Sequence, residues 1–327
     1  MLVEILGTES LGVRGLSCVV EAGDRKIVID PGVALGYQRR GLLPHPAQVA
    51  VGEAVRRRIL GELPGATDVV ISHFHGDHIP LPNANPYQLS ARRAAPLCRG
   101  ARFWTKGRAG LSTTMLRRKE ALEGVLGRAL PDTEGESDGP PACSPPMPHG
   151  EPRGKLGMVM LTRIEDGGVT FVHASDIQLL NREAVEWILA WRPDIVLAGG
   201  PPLYHPALSA RRRRMAWSNA QRLAPAVAVL ILDHHLLRSR EGLSWLRRLA
   251  AQTNHRILCA ADFMQRPRCL LEARREELYA RMPVPAGWHE DYAQGEADTE
   301  AYRDGLGDCS PSRAEGERRL RDPQNCL

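Results

Sequence analysis

The feature that most constrains this chain is one short stretch, Ile71-Ser72-His73-Phe74-His75-Gly76-Asp77-His78. Three histidines and an aspartate fall directly after the apolar run Asp68–Ser72, which reads as a short buried strand. Neutral imidazole and carboxylate are ligands that zinc, iron and manganese accept. Burying such a cluster with no cation would leave several polar groups to be satisfied. While the backbone is extended, residues i and i+2 project to the same side, so His73 and His75 can grip one ion. If the chain turns into a helix at Gly76, Asp77 and His78 point to a second position nearby. Two cations side by side can activate a water and polarise a substrate oxygen.

A site of this kind needs further ligands downstream, at strand ends. Three places meet that test. His149 lies in Pro148-His149-Gly150, Asp176 follows the strand-like run Val169–His173, and Asp233-His234-His235 follow the run Val227–Leu232.

Around these points the sequence alternates between strand and helix patterns. Leu2–Leu6, Ser17–Glu21 and Lys26–Asp30 read as an opening antiparallel meander. Helices are expected over Pro46–Leu63, Leu111–Leu126, Asn181–Trp191, Leu208–Leu223, Glu241–Gln252 and Arg268–Arg281, with Asn181 as an N-cap. Further strands are expected over Gly157–Thr162, Val169–His173, Asp194–Ala198, Val227–Leu232 and Arg256–Ala260. The segment Pro131–Pro148, rich in Pro, Gly, Ser and acidic residues, reads as a mobile loop. The pattern fails after Pro283. Residues 1–285 form the expected domain, and 286–327 an acidic, poorly ordered or loosely docked tail.

Composition narrows the class. The chain has 327 residues, 43% hydrophobic and only 5% aromatic, so its core should rest on Leu, Val, Ile and Ala. No apolar run approaches the length of a membrane span, and Met1–Ser10 lacks the pattern of a secretory signal. The expectation is a soluble cytoplasmic protein with no membrane partner. Seven cysteines, none in a CxxC pair, argue against a disulfide framework or a thiolate zinc site; most should be reduced, with Cys18 and Cys259 buried. The net charge of +5 is uneven, because the segment from Trp288 onward carries 10 acidic and 5 basic residues, leaving +10 on the remainder. A basic body attracts anionic substrates over long range, although a solvated Arg-rich surface looks the same.

The stretch His73-Phe74-His75-Gly76-Asp77-His78 resembles the HxHxDH signature of metallo-beta-lactamase-fold hydrolases. Four more segments, Glu9–Arg14, Asp30–Gly36, Asn85-Pro86-Tyr87 and Asp233–Arg238, resemble an uncharacterised, largely archaeal family of predicted metal-dependent hydrolases. The resemblance spans roughly residues 1–285. It implies an α/β fold, a four-layer αββα sandwich of two mixed sheets flanked by helices. It also implies two divalent ions, zinc first with iron or manganese as alternatives. Ion one would take His73, His75 and His149; ion two would take Asp77, His78 and His234; Asp176 would bridge them. His234 lies nearer the strand end than His235, which is the alternative ligand. Asp30 resembles the early buried aspartate that braces the metal loop.

The chemistry this implies is hydrolysis by a metal-bound hydroxide, with Asp77 orienting it or accepting its proton. His205, in Pro202-Leu203-Tyr204-His205-Pro206, is a candidate acid for the leaving group. Phosphodiesters, with nucleic acid among them, are the first substrate class. An ester, thioester or lactone hydrolase acting on a small molecule is the rival. A non-catalytic metal-binding sensor or scaffold is the reading from another class, and an oxygen-reducing di-iron protein a third. Lys106, Arg117-Arg118-Lys119 and Arg211–Arg214 are candidate phosphate contacts that solvated faces also explain. The Gly199-Gly200-Pro201-Pro202 turn could offer oxyanion donors. His173 reads as core or as support for Asp176. The sequence sets no oligomeric state.

Overall fold

A computed structural model describes residues 1–152 and 154–309. The strands are β1 (Leu2–Gly7), β2 (Ser17–Ala22), β3 (Arg25–Ile29), β4 (Asp68–Ile71), β5 (Arg102–Thr105), β6 (Pro141–Cys143), β7 (Met147–Pro148), β8 (Met158–Val159), β9 (Thr162–Asp166), β10 (Val169–His173), β11 (Ile195–Ala198), β12 (Val229–Leu232) and β13 (Ile257–Leu258). The helices are α1 (Pro46–Glu62), α2 (Ala91–Ala94), α3 (Thr113–Leu126), α4 (Arg182–Ala190), α5 (Ala210–Leu223), α6 (Glu241–Thr253), α7 (Ala260–Phe263), α8 (Arg275–Arg281) and α9 (Trp288–Gln294).

Two mixed sheets face each other. The first runs β1-β2-β3-β4-β5, antiparallel through β3 and parallel from there to β5. The second runs β13-β12-β11-β10-β9-β6, parallel as far as β10 and antiparallel beyond it. The period of two along each strand sorts side chains between layers. Ile5, Cys18, Val20, Ile27, Ile29, Val70 and Trp104 join the core between the sheets. Their neighbours Leu6, Val19, Val28, Val69, Ile71 and Phe103 turn outward onto α1 and α3. In the second sheet β11 and β12 are buried along their whole lengths, as parallel strands covered on both faces must be. The result is the expected αββα sandwich. Among the described residues no helix is long and apolar enough to cross a membrane.

Local chemistry sets the element ends. His45 caps α1 by accepting the Ala47 N–H at 3.1 Å, and Pro46 supplies the first helical φ. Asn181 caps α4 by accepting the Glu183 N–H at 2.9 Å. Several expectations need correction. Pro131–Pro148 is not a bare loop: it contains β6, paired with β9, and β7, paired with β8. The expected helix Arg268–Arg281 starts late, because Cys269 donates its N–H to the Ser10 carbonyl at 2.7 Å and holds that stretch away from helix. β5 escapes a periodicity search because only two apolar residues, Phe103 and Trp104, stand in it.

The tail expectation fails for its described part. Trp288 of α9 and Leu306 are buried against the outer helical layer, and Cys269 and Cys309 form a disulfide with their Cα atoms 5.4 Å apart. That bond is a pairing the sequence reading did not foresee, while most of the described cysteines are reduced, as expected. Cys18, Cys98, Cys143 and Cys259 are free and buried. Cys326 and the rest of 310–327 lie outside the described residues.

Candidate metal centre

β3 and β4 are parallel neighbours, and the loops leaving them form the floor of the site. Asp30, at φ 46°, turns its carboxylate under the histidine stretch. It accepts the Ser72 N–H at 2.8 Å and the Ser72 hydroxyl at 2.6 Å with its two oxygens. The second oxygen also lies 2.8 Å from His78 Nδ1. One buried carboxylate thus ties both ends of the histidine stretch and leaves His78 Nε2 facing the site. Gly32 lets the two loops touch, since a Cβ there would fall 2.1 Å from the Ile79 nitrogen.

Asp176 sits at the centre. Its Oδ2 lies 3.5 Å from His73 Nε2, 2.9 Å from His149 Nε2 and 3.2 Å from His235 Nε2. Its Oδ1 lies 3.0 Å from His78 Nε2 and 3.6 Å from His234 Nε2. Asp77 Oδ2 approaches His234 Nε2 at 3.4 Å, and His75 Nδ1 lies 3.0 Å from His73 Nε2. Two donor sets emerge, one on each side of the carboxylate. His73, His75, His149 and Asp176 form the first, and Asp77, His78 and His234 the second; two further groups overlap them, Asp30, His73 and His78, and Asp176, His234 and His235. His234 and His235 leave β12 in different directions: His234 reaches Asp77, while His235 faces Asp176 Oδ2 and the cavity.

The donors fit a cation. His78 Nε2, Asp176 Oδ1 and both ring nitrogens of His235 are buried without a hydrogen-bond partner. Buried polar atoms in that state are costly unless something binds them. Burial and the neighbouring histidines push His75 down to about 2, so its ring is neutral and its lone pair free. Burial opposes ionisation of Asp176, yet His78, His234 and His235 hold its carboxyl well below the usual range. Burial likewise lowers His234, to about 4, with Arg238 adding to the effect. His78 differs: burial opposes its protonation, yet the Asp176 and Asp30 carboxylates on either side hold it well above the usual range, so a cation bound there would displace that proton.

Arg238 is the neighbour that sequence reasoning missed. Its Nη2 lies 2.5 Å from His234 Nε2 and 3.5 Å from Asp77 Oδ2. Its Nε donates to Glu9 at 3.0 Å and its Nη1 to the Tyr204 hydroxyl at 3.1 Å. Arg238 Nη2 thus stands at the His234 Nε2 lone pair that a cation would use. The available signal was position: Arg238 follows His234 by four residues, one helical turn after a ligand.

The other candidates separate by burial. Asp233 does not join the donor sets. It accepts the Thr8 hydroxyl, the Ser10 N–H and the Ala260 N–H, each at 2.9 Å, and so pins three distant segments. His173 is core, with its Nε2 2.8 Å from the Leu16 carbonyl. Lys106 is no phosphate contact, because it is fully buried and bonded to the Gly107 and Ala109 carbonyls and Glu134. Lys119 is buried as well, against carbonyls and the face of Phe74. The Gly199 and Gly200 N–H groups are spent on the Ser175 and Ile177 carbonyls at 2.8 and 3.1 Å, so that turn has no oxyanion donors. Gly199 has a packing role instead: a Cβ there would lie 3.1 Å from His235 Cδ2 and 3.3 Å from Asp176 Cα.

A cavity of about 830 Å³ opens over the centre. His205 is exposed on its wall, with Nδ1 accepting the Ala207 N–H at 3.2 Å. Arg14, Arg118, Lys155 and Arg212 also line it. Of the Arg211–Arg214 run, Arg212 faces the cavity and pairs with Glu151 at 2.6 Å.

Facing mixed sheets, outer helices and a histidine loop at the strand ends together define a metallo-beta-lactamase-fold protein with a candidate metal centre. The chain belongs to the UPF0282 family. It is 50% identical over 302 residues to a UPF0282 protein of Methanosarcina mazei, covering 92% of this chain and 99% of that one. A UPF0282 protein of Thermococcus gammatolerans is 35% identical over 299 residues, covering 86% and 96%. No family model matches the chain. Among solved structures it is similar to the metallo-beta-lactamase fold protein YhfI of Bacillus subtilis, at 12% identity and TM-score 0.41, covering 79% of this chain and 95% of that one. It is also similar to CmlA, a diiron beta-hydroxylase from Streptomyces venezuelae, at 12% identity and TM-score 0.44, covering 79% and 52%. Likenesses at that level carry no activity across.

Proposed function

We propose that this chain is a metal-dependent hydrolase with a two-cation centre, acting on an anionic electrophile, phosphodiesters first. The observation that carries the reading is the Asp176 carboxylate, which presents one oxygen to each of two donor sets. His73, His75 and His149 would hold one ion, Asp77, His78 and His234 the other, and Asp176 would bridge. Divalent ions bound there supply Lewis acidity and a water whose proton is lost near neutral pH.

The chain's own groups do the rest. Asp77, whose Oδ2 lies 3.4 Å from His234 Nε2 and 3.5 Å from Arg238 Nη2, is placed to orient or accept a proton from the attacking water. Arg238 and Arg14 set positive charge beside the centre. Both are tied to buried carboxylates, Arg238 to Glu9 at 3.0 Å and Arg14 Nε to Glu272 at 2.8 Å, which fixes their guanidinium planes. His205 lines the cavity, with its Nδ1 taken by the Ala207 N–H, and is the candidate acid for the leaving group. Ester, thioester or lactone hydrolysis on a small molecule is the second reading; the cavity volume of about 830 Å³ suits it equally.

The test is elemental analysis of protein purified without chelators, together with a rate screen. Close to two ions per wild-type chain, reduced in His75→Ala, is the expected result, with bis(p-nitrophenyl) phosphate hydrolysed faster than p-nitrophenyl acetate or a lactone. Absence of metal in both proteins, after zinc, iron and manganese are each supplied, sinks the reading and favours the scaffold. A preference for the ester overturns the substrate class alone.

Two further outcomes are expected. His205→Ala keeps full metal content and lowers kcat about 100-fold, the scale of a lost general acid; an unchanged kcat removes it from catalysis. His234→Ala loses one ion per chain, whereas His235→Ala keeps both and raises KM. The reverse pattern would exchange the two roles.

A further inference from the structure

We propose that the chain binds single-stranded nucleic acid along an arginine groove that leads away from the metal cavity. The inference deepens the phosphodiester reading and rests on it for what happens at the metals, but not for the binding itself.

The groove is a second concavity of about 720 Å³. Its cations are Arg56 and Arg57 from α1 and Arg93 from α2. Gln88 lines both this groove and the metal cavity, so the two concavities adjoin. Arg57 and Arg93 are exposed and make no ion pair among the described residues. Arg56 is only 9% exposed, and its Nη1 is buried with no hydrogen-bond partner. A buried guanidinium nitrogen without an acceptor is expensive and invites an anion. The acid in the wall, Glu53, accepts the Tyr292 hydroxyl at 2.7 Å, stands 4.0 Å from Arg303 and, with Tyr292, faces the rest of the Arg56 guanidinium. Beyond α2, Arg92, Arg99 and Arg128 line a further concavity whose walls carry no acid.

The crossing between the cavity and the groove carries an aromatic ring. Tyr37 is 58% exposed on the cavity wall, and its ring centroid lies 6.3 Å from that of Tyr87, the neighbour of Gln88. A large exposed ring on the wall of the cavity, with a groove carrying two unpaired arginines adjoining it, suits a strand whose bases stack while its phosphates meet cations. A duplex does not fit as well. Asp176 is 1% exposed at the bottom of its cavity, and a rigid helix about 20 Å across cannot bring a phosphate there without unpairing. A small phosphoester would fill the first cavity and leave the arginine groove unused.

The experiment measures binding of fluorescein-labelled 15-mer oligouridylate and oligothymidylate to the full chain by anisotropy, over a range of salt. Wild type is expected to bind both, with affinity falling as salt rises. Arg57→Glu with Arg93→Glu weakens binding at least tenfold. A double Arg57→Ala/Arg93→Ala variant flattens the slope of log K against log salt by about 1.4, at roughly 0.7 per phosphate contact in single strands. Tyr37→Ala weakens binding about tenfold, within the range of one lost stacking partner. Arg247→Glu with Arg248→Glu on α6, exposed and outside every concavity named here, is the matched control and leaves binding within twofold. These side chains are exposed, and an unchanged melting temperature certifies the fold. Failure of wild type to bind either oligonucleotide overturns the proposal, as does equal loss in the groove and α6 pairs. His75→Ala separates the two readings. It abolishes hydrolysis but keeps oligonucleotide affinity if the groove binds independently. Wild-type binding with no phosphodiesterase activity sinks the phosphodiester reading and leaves the groove standing.

Discussion

Asp176→Ala is expected to lose metal and activity together. Its carboxylate is the group that both donor sets share, with Oδ2 2.9 Å from His149 Nε2 and Oδ1 3.0 Å from His78 Nε2. Removing it takes one ligand from each set and the charge that offsets the cations. Metal content should fall from close to two ions per chain to one or fewer, and kcat/KM by at least about 1,000-fold, the scale of about 4 kcal/mol of lost transition-state stabilisation. Stability should follow, because a ligand that binds only the folded state adds about 4 kcal/mol when present at 1,000 times its Kd. The wild-type protein should therefore melt at a lower temperature after chelation, and Asp176→Ala should melt at one temperature with or without chelator. Asp176→Asn keeps the shape and removes the charge. Unchanged metal content in both variants would take Asp176 out of the ligand set.

Asp233→Ala should be the most destabilising single substitution near the site, and for a different reason. Asp233 touches no donor set directly. It accepts three hydrogen bonds, from the Thr8 hydroxyl and from the Ser10 and Ala260 backbones, in a fully buried place. Alanine leaves those donors without acceptors, at about 1–3 kcal/mol each. The expected loss is therefore about 3–9 kcal/mol, read as a lower urea midpoint at constant slope. Chains that remain folded should still bind metal, since the donors themselves are intact. A loss under about 1 kcal/mol, or a metal defect without a stability defect, would return Asp233 to the ligand candidates.

Asp176 and Asp233 show what could be read from the chain. Both follow apolar runs, and both look like ligands at strand ends. The sequence pattern found the strand ends because burial on both faces demands uninterrupted apolar residues, as in β11 and β12. It could not tell which carboxylate turns into the site, because that depends on what lies across the sheet. Asp176 meets histidines from three other segments, residues 73–78, 149 and 234–235; Asp233 meets Thr8, Ser10 and Ala260. The same limit applies to Lys106. Its neighbours Phe103 and Trp104 pointed to a surface with aromatics, yet two apolar residues are enough for the strand β5, and the strand carries Lys106 inside.

Charge was legible as a total and not as a pattern. The basic excess of the body is visible by counting, but not that Arg14 and Arg238 are locked to Glu272 and Glu9 while Arg57 and Arg93 stand unpaired. Nor does spacing reveal the disulfide between Cys269 and Cys309, which lie 40 residues apart.

The sequence by itself determined the ligand types, their order and the strand after which each appears, because those follow from side-chain chemistry and from apolar period. It also determined the alternation that sorts each strand between the inner core and the outer helices. Only the tertiary structure decided that Asp176 faces both donor sets and that His234 reaches Asp77 while its neighbour turns to the cavity. It alone placed Arg238 against the second set. Most of these contacts join residues about 60 to 160 positions apart, such as His73 and Asp176, or Asp77 and His234, and nothing local fixes the direction of a side chain at the end of a strand. The packing of the two sheets fixes it.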